Sequence, residues 1–459
     1  MSELPHLVPA TTRGFARPAS RISFAFGRRF FLLLLIGLVW LGPAWNDGRF
    51  LYAMALWDVA VIIAWIWDLR RLPRPAQLDV SRVWSQPVQL DVEARVTIEL
   101  QNLGNLPITV QITDDAPISF QCDTPQLDLA AAIKDVSATS YTVRPGERGD
   151  AKFGNVYLRY QSPLKIAERW AVVPLAQTVR VYPNLEESQR DTIYLIRSRQ
   201  IAIEKRHQHQ RGQGREFESL REYREGDEWR DICWSATARR GKLISEVHRI
   251  ERSQTVWIVL DAGRLLRARV RRLSKLDYAI AAALSLAQVA LYSGDRIAML
   301  AYGRRIQQRL PAGRGSGHVR ALLEGLAQVK GEELEADHQR AAEALLTFQK
   351  RRSLVVWLTD LSETPATPEV IESVSRLAHR HLVLFTVIAQ PELRELLRER
   401  PANAREMFRH VAAQEIVQRR DVLLRTLRQQ GVLTLEVDPA HLSSAVVNQY
   451  LGAKERSLI

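Results

Sequence analysis

Residues 212–261 read GQGREFESLREYREGDEWRDICWSATARRGKLISEVHRIERSQTVWIVLD, and this stretch decides how the rest of the chain is understood. Its last seven residues, Thr255-Val-Trp-Ile-Val-Leu-Asp261, form an apolar run that ends on a carboxylate. That is the pattern of a strand buried on both faces of a parallel sheet. The preceding residues interleave Arg221, Arg224, Arg230 and Arg239 with Glu218, Glu222, Glu225, Asp227, Glu228 and Asp231. Phe217, Tyr223, Trp229 and Trp234 sit among these charges, and a solvated charged loop rarely carries so many large apolar side chains.

Downstream of Asp261, helical and extended patterns alternate. Helices are expected over 274–292, 318–329, 336–350, 368–380, 391–430 (with at least one break) and 441–451. Strands are expected over 297–302, 354–360, 382–388 and 432–437. The order predicts a doubly wound, mostly parallel α/β domain over 254–459, with its sites at strand carboxyl ends. Residues 186–253 then form a linker rich in Arg, Gln and His plus the charged stretch. His207 and His209 have no second His or Cys pair nearby, so they read as linker rather than a metal site.

Upstream, residues 75–185 alternate with period two between turn signals such as Pro145-Gly-Glu-Arg-Gly149, which argues an antiparallel β-sandwich. The segment VTIELQNLGNLPITVQITDDAP, from Val96 to Pro117, looks like the strand-turn-strand of immunoglobulin-like modules. Asp114, Asp115 and Asp123 read as loop residues. Before this region lie two apolar runs, Phe30–Trp45 and Phe50–Trp67, read together as a transmembrane helical hairpin over 30–67. Residues 1–29 form a basic tail. Arginines outside both ends of the hairpin place both termini in the cytoplasm and the protein in the inner membrane as a multi-pass chain. A cleaved leader ending near Gly42-Pro43-Ala44 is the rival reading, although the segment before it is long for that role. Asp58 falls inside the second run, where a carboxyl either contacts a partner helix or stays protonated.

The pattern Gly-x-Glu-Phe-x-x-Leu-Arg-x-Tyr-x-x-Gly-Asp-x-x-Arg-x-Ile-x-Trp-x-x-x-Ala-Arg resembles the signature of the bacterial domain-of-unknown-function family fifty-eight. The matching residues are Gly214, Glu216, Phe217, Leu220, Arg221, Tyr223, Gly226, Asp227, Arg230, Ile232, Trp234, Ala238 and Arg239. The resemblance implies a membrane-anchored protein with a β-rich region and a von Willebrand factor A-like domain, associated with a MoxR-type AAA+ ATPase. It brings no enzymatic activity.

In the von Willebrand factor A fold, a magnesium ion is held at the sheet edge by an Asp-x-Ser-x-Ser loop, a Thr and a third-strand Asp, all hard oxygen donors. Here Asp261 and Asp360 match the acids, but Gly263 and Leu265 stand where the serines would, and Arg264 adds positive charge. No tight magnesium site is expected, and no other cofactor is implied. The Gly-rich loop Pro311–His318 lacks the Lys-Ser/Thr of a nucleotide loop and reads as a turn. Ser235, Ser245 and Cys233 have no paired base at a recognisable spacing, and His248 stands alone.

The signature is therefore the candidate binding surface, through Arg221, Tyr223, Asp227, Arg230, Trp234 and Arg239. Phe217, Ile232 and Trp234 are expected inward. Arg230 and Arg239 are expected in a buried network, and Arg221 and Arg224 on an exposed docking face. With 459 residues, 46% apolar and 25% charged, the chain has room for two or three folded units. The net charge of +13 is spread along the chain, so contact with anionic membrane lipids explains it better than nucleic acid, for which no motif is present. Cys122 and Cys233 read as reduced thiols. The function expected is a non-enzymatic membrane scaffold or adaptor. A metal-dependent adhesion module and an unrecognised hydrolase are the alternatives.

Overall fold

The structure is a computed structural model and describes residues 7–21, 23–120, 126–184, 216–224, 229, 232–249, 254–361, 367–456 and 458. The chain divides into two units, residues 1–184 and 185–459.

The first unit begins with strands β1 (Thr12–Phe15), β2 (Arg17–Pro18) and β3 (Phe24–Phe26). Helices α1 (Arg28–Gly37), α2 (Leu41–Ala44) and α3 (Arg49–Arg71) follow, with a 3-10 turn between the first two. Nine further strands complete the unit: β4 (Leu78–Trp84), β5 (Ala94–Asn102), β6 (Ile108–Asp114), β7 (Gln126–Ala131), β8 (Val136–Val143), β9 (Gly149–Phe153), β10 (Val156–Gln161), β11 (Ala167–Val173) and β12 (Gln177–Val181). One antiparallel sheet runs β1-β4-β5-β8, and a second runs β2-β11-β10-β6-β7 with β3 also on β11. Alternation sends Val96, Ile98 and Leu100 of β5 and Ile108, Val110 and Ile112 of β6 into the core.

The basic tail expected over 1–29 is thus corrected: its residues 12–15, 17–18 and 24–26 are sheet strands. β1 pairs with β4 from Thr12↔Arg82 to Phe15↔Asp79, covering backbone groups that β4 would otherwise leave bare. Arg13 Nε donates to Asp79 Oδ2 at 2.8 Å, so one arginine of the supposed tail is a cross-strand partner. Asp114 is likewise no loop residue. It ends β6 fully buried against Arg82.

The first apolar run is broken into short pieces. Pro43 lacks an N–H and crowds the carbonyl four residues back, which fits the 3-10 turn at Leu38–Trp40 just before it. Among the described residues, α3 alone is long and apolar enough to cross a membrane. The shorter α1 still packs against it, with Trp57 Nε1 donating to Leu33 O at 2.8 Å. Gly37 lets the helices close, since a Cβ there would lie 2.7 Å from Trp57 Cδ1 and 3.1 Å from Asp58 Oδ1. Asp58 therefore faces the neighbouring helix. At the end of α3, Asp68 is buried and accepts from Ser162 Oγ at 2.8 Å and Ala167 N at 2.9 Å, which fastens the helix to the β-sheets.

The second unit opens with a two-stranded antiparallel ribbon, β13 (Glu216–Glu222) and β14 (Ile244–Arg249), with helix α4 (Trp234–Arg240) between them. The α/β domain begins with β15 (Thr255–Asp261), a short hairpin β16–β17 (Arg269–Val270, Leu273–Ser274) and α5 (Lys275–Tyr292). Next come β18 (Arg296–Tyr302), β19 (Ile306–Gly313), α6 (Ser316–Gln328), α7 (His338–Phe348), β20 (Leu354–Thr359) and α8 (Thr367–Ala378). The chain closes with β21 (Leu382–Ile388), α9 (Pro391–Arg398), α10 (Ala404–Gln429), β22 (Leu433–Val437) and α11 (Leu442–Glu455). The sheet order is β19-β18-β15-β20-β21-β22, parallel except for the edge strand β19. This is the doubly wound α/β fold expected. β19 was not anticipated: Pro311 sits in it, where an edge strand tolerates proline. One face of the sheet carries Trp257, Val259, Trp357 and Phe385 against α7, α8 and α10. Helix α5 is buried nearly all round and packs against α11.

Candidate functional site

Strand order reverses beside β15, so β15 and β20 flank the switch point at whose carboxyl edge open α/β sheets place their sites. Asp261 ends β15 and Asp360 follows β20, both buried. Asp261 accepts from Gly263 N at 2.7 Å and from Thr359 Oγ1 at 2.6 Å. Burial pushes its carboxyl above the ordinary 3.8, against the pull of His338, Thr359 and Gly263.

Asp360 is held differently. Lys275 Nζ donates to its Oδ2 at 2.5 Å, and Arg420 Nη2 reaches its Oδ1 at 3.3 Å. Both cations are almost wholly buried. Lys275 is the first residue of α5, where Ser274 caps the helix and forms a capping box with Asp277. A lysine there opposes the helix dipole, and the Asp360 carboxylate offsets that cost. Burial pushes the Lys275 ammonium below its ordinary value, with Asp360 pulling it back up. Arg420, on α10, also donates to Leu361 O at 3.0 Å and lies 3.5 Å from Glu436. On the far side of Asp261, Tyr302 OH meets His338 Nδ1 at 2.8 Å and accepts from Trp357 Nε1 at 2.6 Å.

These residues do not fit a divalent cation. Each oxygen of Asp360 already faces a cationic side chain. At position 263 a Cβ would lie 2.8 Å from Ala336 N and 2.9 Å from Ala336 Cβ, so a serine could enter only if the backbone moved. Leu265 offers no oxygen from its side chain.

The signature ribbon presents a different surface. Ile232 is buried, but Trp234 opens α4 and is 64% exposed, and Trp229 is 71% exposed. The inward placing expected for Trp234 is corrected: it opens a short helix, which ends on Gly241 at φ +65° with its N–H on Thr237 O. Arg239 is exposed on that helix rather than buried in a network. Tyr223 lies 6.0 Å from Trp229, ring to ring, and Lys242 pairs with Glu222 at 3.1 Å. Arg221 is half-buried, with Nη1 on Glu222 O at 3.4 Å. Asp227, Arg230, the Phe217 side chain, Cys122 and the histidines 207 and 209 lie outside the described residues. Cys233 Sγ is 3.4 Å from Ser235 Oγ.

The family model described as "Protein of unknown function DUF58" matches residues 219–406. This region belongs to that family. The DUF58 region takes in the signature ribbon from Ser219 onward, Asp261, Lys275 and Asp360 but stops short of Arg420. Uncharacterized proteins from Mycobacterium bovis and Mycobacterium tuberculosis are 26% identical over 187 residues, 40% of this chain. The chain spans 58% of the length of those relatives. Among solved structures, the conserved hypothetical protein BatB from Bacteroides thetaiotaomicron is 14% identical and covers 44% of this chain and 99% of its own, at a TM-score of 0.31. The SpRpn10 VWA domain is 11% identical and covers 43% and 94%, at 0.27.

Lys275, Thr359 and Arg420 escaped the sequence reading. A lone lysine directly after a capping serine was the available signal, because that is where a helix disfavours positive charge.

Proposed function

We propose that this protein is a membrane-anchored, non-enzymatic scaffold whose signature ribbon docks a MoxR-type AAA+ ATPase, the partner that its family resemblance implies. The observation that carries the proposal is the exposure of Trp229, Trp234 and Arg239 in a segment whose Ile232 is buried. Exposed tryptophan with arginine is the composition of an interface centre, and solvent alone gives it no purpose. The α/β domain, von Willebrand factor A-like in this reading, supplies a rigid support and works without magnesium.

Anchoring is supported by chain geometry. The strands before α1 and after α3 enter the same sheets, so both ends of the helical segment lie on one side. The 23 residues of α3 reach about 35 Å, enough to cross a bilayer once. The 17 residues from Arg28 to Ala44 must then return, which makes a hairpin.

The test is co-purification of the ATPase with the full chain from native membranes. Trp229→Ala with Trp234→Ala should abolish its capture without lowering the melting temperature. Undiminished capture by the double variant overturns the docking surface.

A further inference from the structure

Where α1 leaves the β-sheets there is a shallow cavity of about 370 Å3, lined by Arg29, Leu32, Leu33, Leu164 and Ile166. Four apolar side chains and one guanidinium form an unusual lining for a solvent-facing cleft. Arg29 Nη1 donates to Leu164 O at 3.3 Å, which holds the head of the side chain at the rim. Among the described residues no carboxylate pairs with Arg28, Arg29 or Arg70, all of which are exposed.

The surroundings divide into two layers. On one side, Leu32 runs on into exposed Leu35 and Ile36 along α1. On the other, Phe24, Phe26, Phe30, Phe31 and Trp65 form a contiguous ring cluster, with centroids 4.4–6.4 Å apart. Trp65, packed on these rings with its Nε1 donating to Ala25 O at 3.3 Å, is the residue type that marks the level of lipid headgroups. Arg71 stacks over Trp67 at 4.5 Å and extends the basic collar around the end of α3.

We propose that this cavity binds one anionic phospholipid, its phosphate on Arg29 and one acyl chain along Leu32 and Leu33. The proposal rests on the reading that α1 and α3 lie in a bilayer. A soluble anion has no use for four apolar walls, and a neutral fatty chain gains nothing from the arginine. The ammonium of a zwitterionic headgroup is repelled by Arg28, Arg29 and Arg70 together. A phosphodiester without a compensating cation matches both the charge and the apolar lining.

The experiment uses the full chain in detergent micelles, titrated with phosphatidylglycerol or phosphatidylcholine and read by native mass spectrometry and melting temperature. Wild type should retain phosphatidylglycerol in preference to phosphatidylcholine. Arg29→Gln should bind it about tenfold more weakly, as loss of a charge-assisted hydrogen bond predicts, and Arg29→Lys should recover part of the loss. Lipid-free melting temperatures of the variants should match wild type, since Arg29 is exposed. Equal retention of the two lipids, or Arg29→Gln binding like wild type, overturns the site. Displacement of the lipid by glycerol 3-phosphate also overturns it, since a plain anion then suffices. Carbonate extraction of the native membranes separates the two readings. Release of the chain sinks the anchor and the lipid site together, whereas retention without lipid preference sinks the site alone.

Discussion

Asp114 in the β-sheet unit and Asp360 at the edge of the parallel sheet are both buried, and each finds its countercharge inside the protein. Asp114 meets a single cation. Arg82 pairs with both of its oxygens, and Tyr141 OH adds a bond of 2.5 Å. Arg82 also donates to Leu175 O at 2.8 Å and to Gly154 O at 3.0 Å. Charge is balanced and each guanidinium nitrogen has a partner, so this cluster is a cross-brace between the sheets. Asp360 meets two cations, Lys275 and Arg420, while Arg420 Nε is buried with no hydrogen-bond partner among the described residues. The same chemistry gives every guanidinium nitrogen a partner in one cluster and leaves the Arg420 Nε bare in the other, where α/β sheets place their sites. A closed cluster lends itself to stability. An open one at a sheet edge lends itself to holding a fixed field.

The largest effect should come from breaking the closed cluster. Asp114→Ala leaves Arg82 buried without its carboxylate, at a cost of about 3–5 kcal/mol. Denaturant unfolding of the full chain in detergent measures it. Combining Arg82→Met with Asp114→Leu should restore much of the loss, because no charge then remains to desolvate. A single variant within about 1 kcal/mol of wild type would mean that the brace bears little of the fold's stability.

Neither cluster could be read from the sequence, and the reason is distance along the chain. Arg82 and Asp114 lie 32 residues apart, Lys275 and Asp360 85 apart, and Arg420 and Asp360 60 apart. Periodicity reports which face of an element is buried, so the strand at 382–388 and the alternation of β5 and β6 were legible. It says nothing of which charged residue meets which across layers. The N-terminal strands failed for a related reason: β1, β2 and β3 have only 4, 2 and 3 residues, too few for a period to register. Arginine-rich composition then dominated the reading. Trp234 is misplaced by a strand-like reading because it opens a helix of about two turns, where residues two apart fall on different faces.

The open cluster should respond less sharply. Lys275→Met removes one of two cations, and Arg420 still serves Asp360, so about 1–3 kcal/mol should be lost. The contrast with Asp114→Ala is the point of the experiment, since equal losses would mean that Arg420 contributes nothing. The same sheet edge carries the metal question. In wild type, magnesium should leave the melting temperature unchanged, whereas a ligand at one hundred times its Kd adds about 2.7 kcal/mol. A rise of several degrees in wild type, abolished by Asp261→Ala, would show that the edge takes a cation despite Lys275.

The smallest effect concerns protons, and two buried acids should show it with opposite sign. Burial raises the Glu168 carboxyl, but its bonds from Arg159, Trp170 and Gln161 outweigh that, so its folded value lies below the ordinary 4.5. The stability it contributes is present above 4.5 and is lost as pH falls through the folded value. Asp261 is the reverse: burial outweighs His338, Thr359 and Gly263, so the folded protein holds its proton more tightly than the unfolded chain does. Its contribution is complete below 3.8 and disappears as pH rises from there through the raised value. Between those limits wild type should therefore lose stability with rising pH relative to Asp261→Asn, which cannot titrate. Glu168→Gln should remove only the acid-side loss. Unfolding free energies of the three proteins from about pH 2 to pH 8 would decide it. Parallel curves for wild type and Asp261→Asn would mean that Asp261 keeps its charge when buried, with His338 and Thr359 balancing the desolvation. The carboxyl edge would then resemble the closed cluster more than the open one.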